Sequence, residues 1–458
     1  MSAQAGRGDT GAAGAAVATR VLKLVHGRST NADAEVVVRT GTSALTRFAN
    51  SFIHQNVAED VSHVALRVAV DGRVAATSLD GVADDAALER LVEGAFAAAA
   101  VSPVDPGWPG LAAPSDITSV DHWDDGTADA SPDDRARGVA SFVAAAGGLV
   151  TAGALSTAAL HVAFANSAGQ AATGRSTVAT LDAIARTPTS DGVARASSVR
   201  FADIDAGAAG ERAATKARMA ADPGDLEPGR YEVVIEPSCV SNILDFLAAY
   251  GFGGRAVEEG RSFVRLGEAQ LDPSITIRED VTHPGMAGIA FDAEGTPRAP
   301  LDVVRHGVSL AILHDRRTAA TAGLGARSTG NAMLGANPWG QVPASLVITP
   351  GDAAPEELVR GMARGILVSD FWYTRVLDPR TLVVTGLTRN GAWLVEEGRI
   401  VRPVRNLRFT QGYVDALAPG NVRAIGSDLS LFPGVDGDAT LVPSLHLGSW
   451  NFTGGAKG

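Results

Sequence analysis

At 458 residues the chain exceeds one ordinary compact domain, so two or three domains are expected, each able to bury a core without a disulfide or metal staple. A formal net charge of −12 without a long Lys/Arg run argues against a nucleic-acid partner, and no apolar run approaches the ~20 residues that span a bilayer, which argues against a membrane partner. A single cysteine, Cys239, excludes an internal disulfide, and with no signal-peptide pattern near Met1 it leads to the expectation of a soluble, cytoplasmic protein.

Residues 1–20 are rich in small side chains and read as a disordered lead-in. Residues 34–39 (AEVVVR) are β-branched and strand-like, and 45–56 (LTRFANSFIHQN) read as a second extended segment. Residues 63–70 and 73–78 flank Asp71-Gly72, a dipeptide that favours a two-residue hairpin turn. Residues 84–100 have amphipathic helical spacing with acids at the positive end of the dipole. Residues 131–146 open on Ser131-Pro132-Asp133-Asp134, a capped helix start. Extended segments at 155–165 and 171–184 flank a turn at Asn166-Ser167-Ala168-Gly169. Residues 196–201 read as a further strand and 205–221 as an Ala-rich helix. The span 21–221 is therefore an α+β unit. Two prolines and two glycines within 222–229 mark a linker, and 230–458 forms a second domain.

The second domain opens with a strand at 231–235, passes Glu236-Pro237-Ser238, and continues into an apolar helix at 240–250 that the glycine cluster 251–254 ends. Helix is scarcer beyond it, with 355–365 as one clear case. Residues 382–387, 392–396 and 399–404 read as an antiparallel meander punctuated by Asn390-Gly391 and Glu397-Gly398. Residues 441–447 read as a closing strand.

A set of short motifs runs in order through most of the chain. Thr46-Arg47-Phe48-Ala49-Asn50 comes first, with His54-Gln55. Phe291-Asp292-Ala293-Glu294-Gly295-Thr296-Pro297 follows, then Ser328-Thr329-Gly330-Asn331, Thr349-Pro350-Gly351-Asp352 and Thr385-Gly386. The stretch from Asn390-Gly391 to Gly398 leads into Arg402-Pro403-Val404, and Val442-Pro443-Ser444-Leu445 comes last. Together with the 231–261 stretch, this set resembles the TldD/PmbA family of metallopeptidase-like proteins. The resemblance implies a two-domain α+β fold. Its N-terminal domain would combine hairpins and helices, and its C-terminal domain would be a mainly antiparallel, curved, barrel-like sheet that pairs with a second subunit.

Catalytic members of that family carry an HExxxH zinc motif on the helix after the first strand of the second domain, and a cysteine ligand near the C-terminus. Here the helix reads Ser241-Asn242-Ile243-Leu244-Asp245-Phe246. No histidine lies between His161 and His283, and residues 426–443 contain no cysteine. A catalytic zinc needs three protein ligands and an open position for water. The resemblance therefore points to the non-catalytic branch, TldE or PmbA. It implies no catalytic residue, metal ligand or cofactor in this chain, and zinc held by an HExxxH-containing TldD-type paralogue. The heterodimer would degrade or trim unstructured peptides.

Several residues invite a functional reading beside a plainer one. Cys239, ahead of the helix, is a thiol nucleophile or stray ligand on one reading and a small buried residue on the other, which is favoured. Asp245 and the pair Glu258-Glu259 are the carboxylates nearest the altered motif, either substrate contacts or a solvated helix face. His306 and His314 flank a strand-like run too long for one zinc ion to bridge, and His283 lies in a turn. The Gly-rich stretch 321–340 lacks a phosphate-loop pattern and reads as a flexible loop. Asp292 and Glu294 in the acidic loop, with Asn331 and Asp245, are the candidate contacts to substrate or partner. Two further readings stay open: a peptide-binding protein acting alone or as a homodimer, and a hydrolase with an unrecognised metal or thiol site.

Overall fold

The computed structural model describes residues 10–323, 325–333, 341, 343–434 and 437–455. Its N-terminal half is built on strands much longer than the local patterns suggest. These are β1 (Asp33–Ala49), β2 (Phe52–Val70), β3 (Arg73–Asp80), β4 (Val150–Asn166), β5 (Ala171–Arg186) and β6 (Asp191–Ser198). They form one antiparallel sheet in the order β3-β2-β1-β4-β5-β6. Asp71 and Gly72, both at positive φ, turn β2 into β3 as expected. Asn50 and Ser51 do the same between β1 and β2, with φ of 51° and 63°. The stretch 45–56 is thus not one extended run but the end of β1, a tight turn and the start of β2.

Strand alternation gives the sheet two different faces. On one, Val36, Val38, Val64 and Leu66 pack against α1 (Thr10–Arg28) and α2 (Asp85–Val101). On the same face Phe48, Leu155, Leu181 and Ala183 pack against α4 (Pro132–Ala145) and α5 (Ala206–Met219), with the single turn α3 (Asp125–Ala128) nearby. The Asp84 side chain caps α2 by accepting from Ala87 N, and Ser131 and Asp134 close a reciprocal capping box on α4.

Helix α1 corrects the expectation of a disordered 1–20 lead-in for residues 10–20, and residues 1–9 lie outside the described residues. Ala18, Val21 and Val25 recur at helical spacing and are fully buried, so an Ala-rich segment that looks featureless locally becomes a covering helix once the sheet is present. The strand expected at 196–201 straddles the end of β6 and a 3-10 turn at Phe201–Asp203.

The second half contains β7 (Gly229–Ile235), α6 (Pro237–Leu247), α7 (Gly254–Glu258), β8 (Ile277–Glu279), β9 (Leu301–Arg305) and β10 (Val308–Ser309). There follow α8 (Arg316–Ala322), β11 (Ser345–Ile348), α9 (Pro355–Arg360), β12 (Arg364–Asp378), β13 (Val383–Glu396) and β14 (Arg399–Pro403). The chain closes with β15 (Leu407–Gly412), α10 (Tyr413–Ala416), β16 (Val422–Ile425), β17 (Ser430–Pro433), β18 (Ala439–Val442) and β19 (Leu445–Gly455).

Because β12 pairs with both β7 and β13, the strands β12-β7-β19-β15-β13 close into a five-stranded barrel. A second sheet, β10-β9-β8-β11-β18-β17, lies beside it. Helix α6 joins the two: Val240, Ile243, Leu244 and Leu247 share one core with Ile366 and Val368 of the barrel and Ile277 and Leu346 of the sheet. The expected α+β class and curved, barrel-like C-terminal sheet are both present.

Three local expectations change. Asn390-Gly391 is no hairpin turn, since β13 runs straight through it with a register shift opposite Val368 and Asp370. Gly391 lies at φ 130°, and a Cβ there would come within 2.2 Å of the buried Trp393 ring, so the pair forms a bulge shaped by that ring. The helix at 355–365 ends at Arg360, where the chain turns into β12. The strand at 441–447 is split by Pro443-Ser444 between β18 and β19. Glu397-Gly398 does turn β13 into β14. Among the described residues, no helix is long and apolar enough to cross a membrane.

Candidate functional site

The sheet face opposite the helices is turned toward the second domain. Val37, Val162 and Phe164 on it pack against Phe291 of the acidic loop. Beside this contact the two domains enclose a cavity of about 830 Å³. Its N-terminal wall is the strand surface around Val61, Leu160 and Val178, with Thr42, Ser43 and Ser176 among it. The opposite wall comes from Asp245, Phe246, Ala249 and Tyr250 at the end of α6, from the loop at Ile289–Ala293, and from Pro433, Gly434 and Asp438. Such a space, largely apolar with a few polar groups, is the usual form of a small-molecule or peptide-segment site.

Helix α6 places the residues that stand where the family's zinc motif would be. Ser241 Oγ shares a hydrogen bond with Thr440 Oγ1 at 2.8 Å. Asn242 Nδ2 donates to Thr374 Oγ1 at 3.1 Å, and its Oδ1 accepts from the Tyr413 hydroxyl at 2.8 Å. Phe246 stacks near Tyr250 and meets Tyr413 edge-on. A hydroxyl, an amide and a phenyl ring form no zinc ligand set. Two of the three are engaged in side-chain hydrogen bonds and the third in ring packing. No group of three His, Cys, Asp or Glu side chains among the described residues is arranged to hold a metal ion.

The four candidate contact residues divide. Asp245 and Asp292 line the cavity, whereas Glu294 and Asn331 support its surroundings. Asp292 Oδ1 accepts from the backbone N–H groups of Glu294 and Thr296, each at 2.9 Å, and its Oδ2 accepts from Ala332 N. It is the organiser of the acidic loop, and burial followed by the nearby Glu294 charge pushes its carboxyl upward. Glu294 Oε1 accepts from Arg67 Nη2 of β2 at 2.8 Å, and Oε2 from Arg316 N at 3.0 Å, so it ties the domains together. Asn331 donates Nδ2 to Glu279 Oε1 at 3.2 Å in the interior. It thereby fixes part of the 321–340 stretch, whose residues 324 and 334–340 lie outside the described residues. Thr321 and Ala322 in that stretch are the end of helix α8, not loop.

Other side chains of the sequence reading take the plainer role. Cys239 is fully buried, with its thiol pushed up by burial. Glu259 pairs with Arg255 and Arg261. His314 is hydrogen-bonded with Thr318 Oγ1, and burial lowers its pKa.

The structure adds groups that no sequence pattern signals. Arg298 lines the cavity, donating Nε to Gly330 O and Nη1 to Ile289 O. Burial works against its charge while Glu279, Asp292 and Asp438 support it. Asp438 lies close enough to Asp245 for the two charges to repel. Asp245 is exposed, but into the cavity, and the enclosing protein followed by the Asp438 charge pushes its pKa up to about 7.

A folded-state pKa above the unfolded value means that Asp245 contributes stability at low pH that is lost as pH rises through about 7. Asp245→Asn keeps the shape and removes the charge. Its stability relative to the natural protein is expected to improve by about 1 kcal/mol between pH 5 and pH 8, a figure reduced for water in the cavity. Thermal unfolding of both proteins at the two pH values measures this, and a difference that does not change with pH would contradict it.

Comparison with known proteins agrees with this architecture. The pattern of the PmbA/TldA metallopeptidase C-terminal domain matches residues 228–454, and that of PmbA/TldA metallopeptidase domain 1 matches residues 34–99. A metalloprotease of Methanothermobacter thermautotrophicus is 24% identical over 224 residues, 48% of this chain and 48% of that protein. A metalloprotease of Synechocystis sp. is 25% identical over 214 residues, 43% of this chain and 42% of that protein. The chain thus spans about half the length of each of these relatives. The crystal structure of TldE from Thermococcus kodakarensis superposes with a TM-score of 0.84 at 17% identity, covering 96% of this chain and 99% of that one, which is a likeness of fold. With matched domains in both halves and a shared architecture from the N-terminal sheet to the barrel, the chain belongs to the TldD/PmbA family.

Proposed function

We propose that this chain is the non-catalytic, TldE-type subunit of a cytoplasmic heterodimeric zinc metallopeptidase that degrades or trims unstructured peptides. One observation carries the reading. The zinc-motif positions on α6 hold Ser241, Asn242 and Phe246, all three engaged with protein neighbours, while the adjoining cavity remains open. In this reading the zinc belongs to an HExxxH-containing partner. The present chain supplies a wall of the peptide chamber and a receptive surface in which an extended segment can lie.

The test is cleavage of an unstructured peptide by the purified chain, by its HExxxH paralogue and by the mixture, each with and without chelator. Activity that requires the mixture and disappears with chelator is expected. Sustained cleavage by this chain alone would overturn the assignment. A stable homodimer that binds peptide and ignores the paralogue would favour a separate binding protein instead.

A further inference from the structure

The cavity's polar groups are unequal in what they already hold. Arg298 is fixed by two backbone carbonyls and supported by Glu279, Asp292 and Asp438. Asp292 is occupied by three backbone N–H groups. Asp245 differs, because its carboxylate accepts no hydrogen bond and joins no ion pair among the described residues. It faces the cavity beside a second carboxylate, Asp438, on the same wall as Phe246 and Tyr250. A carboxylate held in that position is disfavoured until a cation arrives. The surroundings specify the cation further: Val37, Val61, Leu160, Val162, Ala249 and Ile289 offer apolar surface to whatever carries it.

We propose that this cavity binds a primary ammonium group borne on an apolar chain, with Asp245 as its counter-ion and Asp438 as the second carboxylate. Two peptide sources share that chemistry, the amino terminus and a lysine side chain. The inference deepens the peptide-subunit reading by naming what the chamber wall selects. It is independent of catalysis, since Asp245 acts by charge and hydrogen bonding alone. Over the pH range that ionises Asp245, a primary alkylammonium keeps its proton, so its binding is expected to strengthen as pH rises through about 7. Asp438, Asp292, Arg298 and Arg39 also line the cavity, so the pH profile belongs to the group as a whole.

Calorimetric titration of the full chain tests this with n-hexylammonium against n-hexanol. A second series uses an unstructured, lysine-free peptide with a free amino terminus, its N-acetylated form, and an N-acetylated form carrying one lysine. The free-amine peptide is expected to bind about tenfold more tightly than its acetylated form, the size of a charge-assisted hydrogen bond. Asp245→Asn is expected to erase that preference, so that the free-amine and acetylated peptides bind with the same affinity. Recovery of affinity by the lysine-bearing acetylated peptide would assign the site to side chains, and no recovery would assign it to amino termini.

Equal binding of the amine and its neutral counterpart, or a preference that survives Asp245→Asn, overturns the inference. Should that variant fail to fold, loss of hexylammonium preference in the natural protein below pH 6 takes its place, and a preference unchanged with pH overturns the proposal. If hexylammonium binds through Asp245 but no peptide binds, the ammonium site stands and the peptide reading falls. If peptides bind irrespective of charge, the reverse holds.

Discussion

Replacing Arg67 by Ala is expected to destabilise the protein by about 3–5 kcal/mol at pH 8 and to loosen the joint between its domains. The Arg67 guanidinium bonds at once to Glu35, its neighbour across β1, and to Glu294 of the C-terminal acidic loop. Both carboxylates are only 5% exposed, so removing the cation leaves two charges enclosed without a counter-ion. Arg67 also lies over the Trp108 ring, whose loss of contact adds to the cost.

The effect should depend on pH in a definite sense. Burial pushes Glu35 up to about 7, against the pull of Arg67. Its folded-state value exceeds its unfolded one, so its contribution to stability is present at acid pH and fades as pH rises through about 7. Without Arg67 the carboxyl would hold its proton still more firmly, and the deficit of the variant should shrink near pH 5.5. Adding Glu35→Gln to the Arg67→Ala background should recover part of the loss at pH 8. Thermal unfolding together with limited proteolysis of the acidic loop reads both effects. A variant as stable as the natural protein at pH 8, or a double variant with no recovery, would show that this tie is not what holds the domains.

What the sequence discloses and what it conceals follow from the range of the interactions. Asp71-Gly72 and the Ser131 capping box are decided by neighbours in sequence, and both read correctly. The whole of β12 escaped because it has little local identity. Gly365, Ile366 and Val368 are buried, whereas Trp372, Tyr373 and Leu377 beyond them are exposed, so no simple alternation marks the strand. Asn390-Gly391 misled because its local preference for a turn yields to pairing with β12 and to the Trp393 ring.

The functional site divides in the same way. The substituted zinc motif is legible as letters, and no structure is needed to see that histidines are missing. Which neighbours engage Ser241 and Asn242 depends on Thr440, Thr374 and Tyr413, brought from β18, β12 and α10. Asp245 could be named as a candidate from its place on the helix, but its nearness to the like charge of Asp438 and its lack of a hydrogen-bond partner among the described residues arise only from the closure of the fold. Glu294 reads in the sequence as a contact to substrate or partner, whereas the bonds it makes here are to Arg67 and Arg316 of the same chain.

Truncating Trp450 to Ala is expected to cost about 3–5 kcal/mol, because it removes the side chain on which the barrel interior is assembled. The indole stacks on Phe371 of β12 at 5.1 Å and meets Phe409 of β15 edge-on at 5.2 Å, with Tyr413 at 5.9 Å. Two barrel strands and helix α10 therefore converge on this one ring of β19, and the same Tyr413 hydroxyl holds Asn242 at the altered motif. Loss of Trp450 should thus be felt beyond the barrel, in the position of α6 and the cavity wall that it carries. Trp450→Phe separates packing from polarity. The indole N–H has no hydrogen-bond partner among the described residues, so the smaller ring gives up volume without stranding an acceptor. A loss of about 1–2 kcal/mol is expected for Phe, well below that for Ala. Denaturant unfolding followed by tryptophan-independent circular dichroism ranks the three proteins. Equal losses for Phe and Ala would mean that the indole nitrogen, rather than the filled volume, is what the barrel needs.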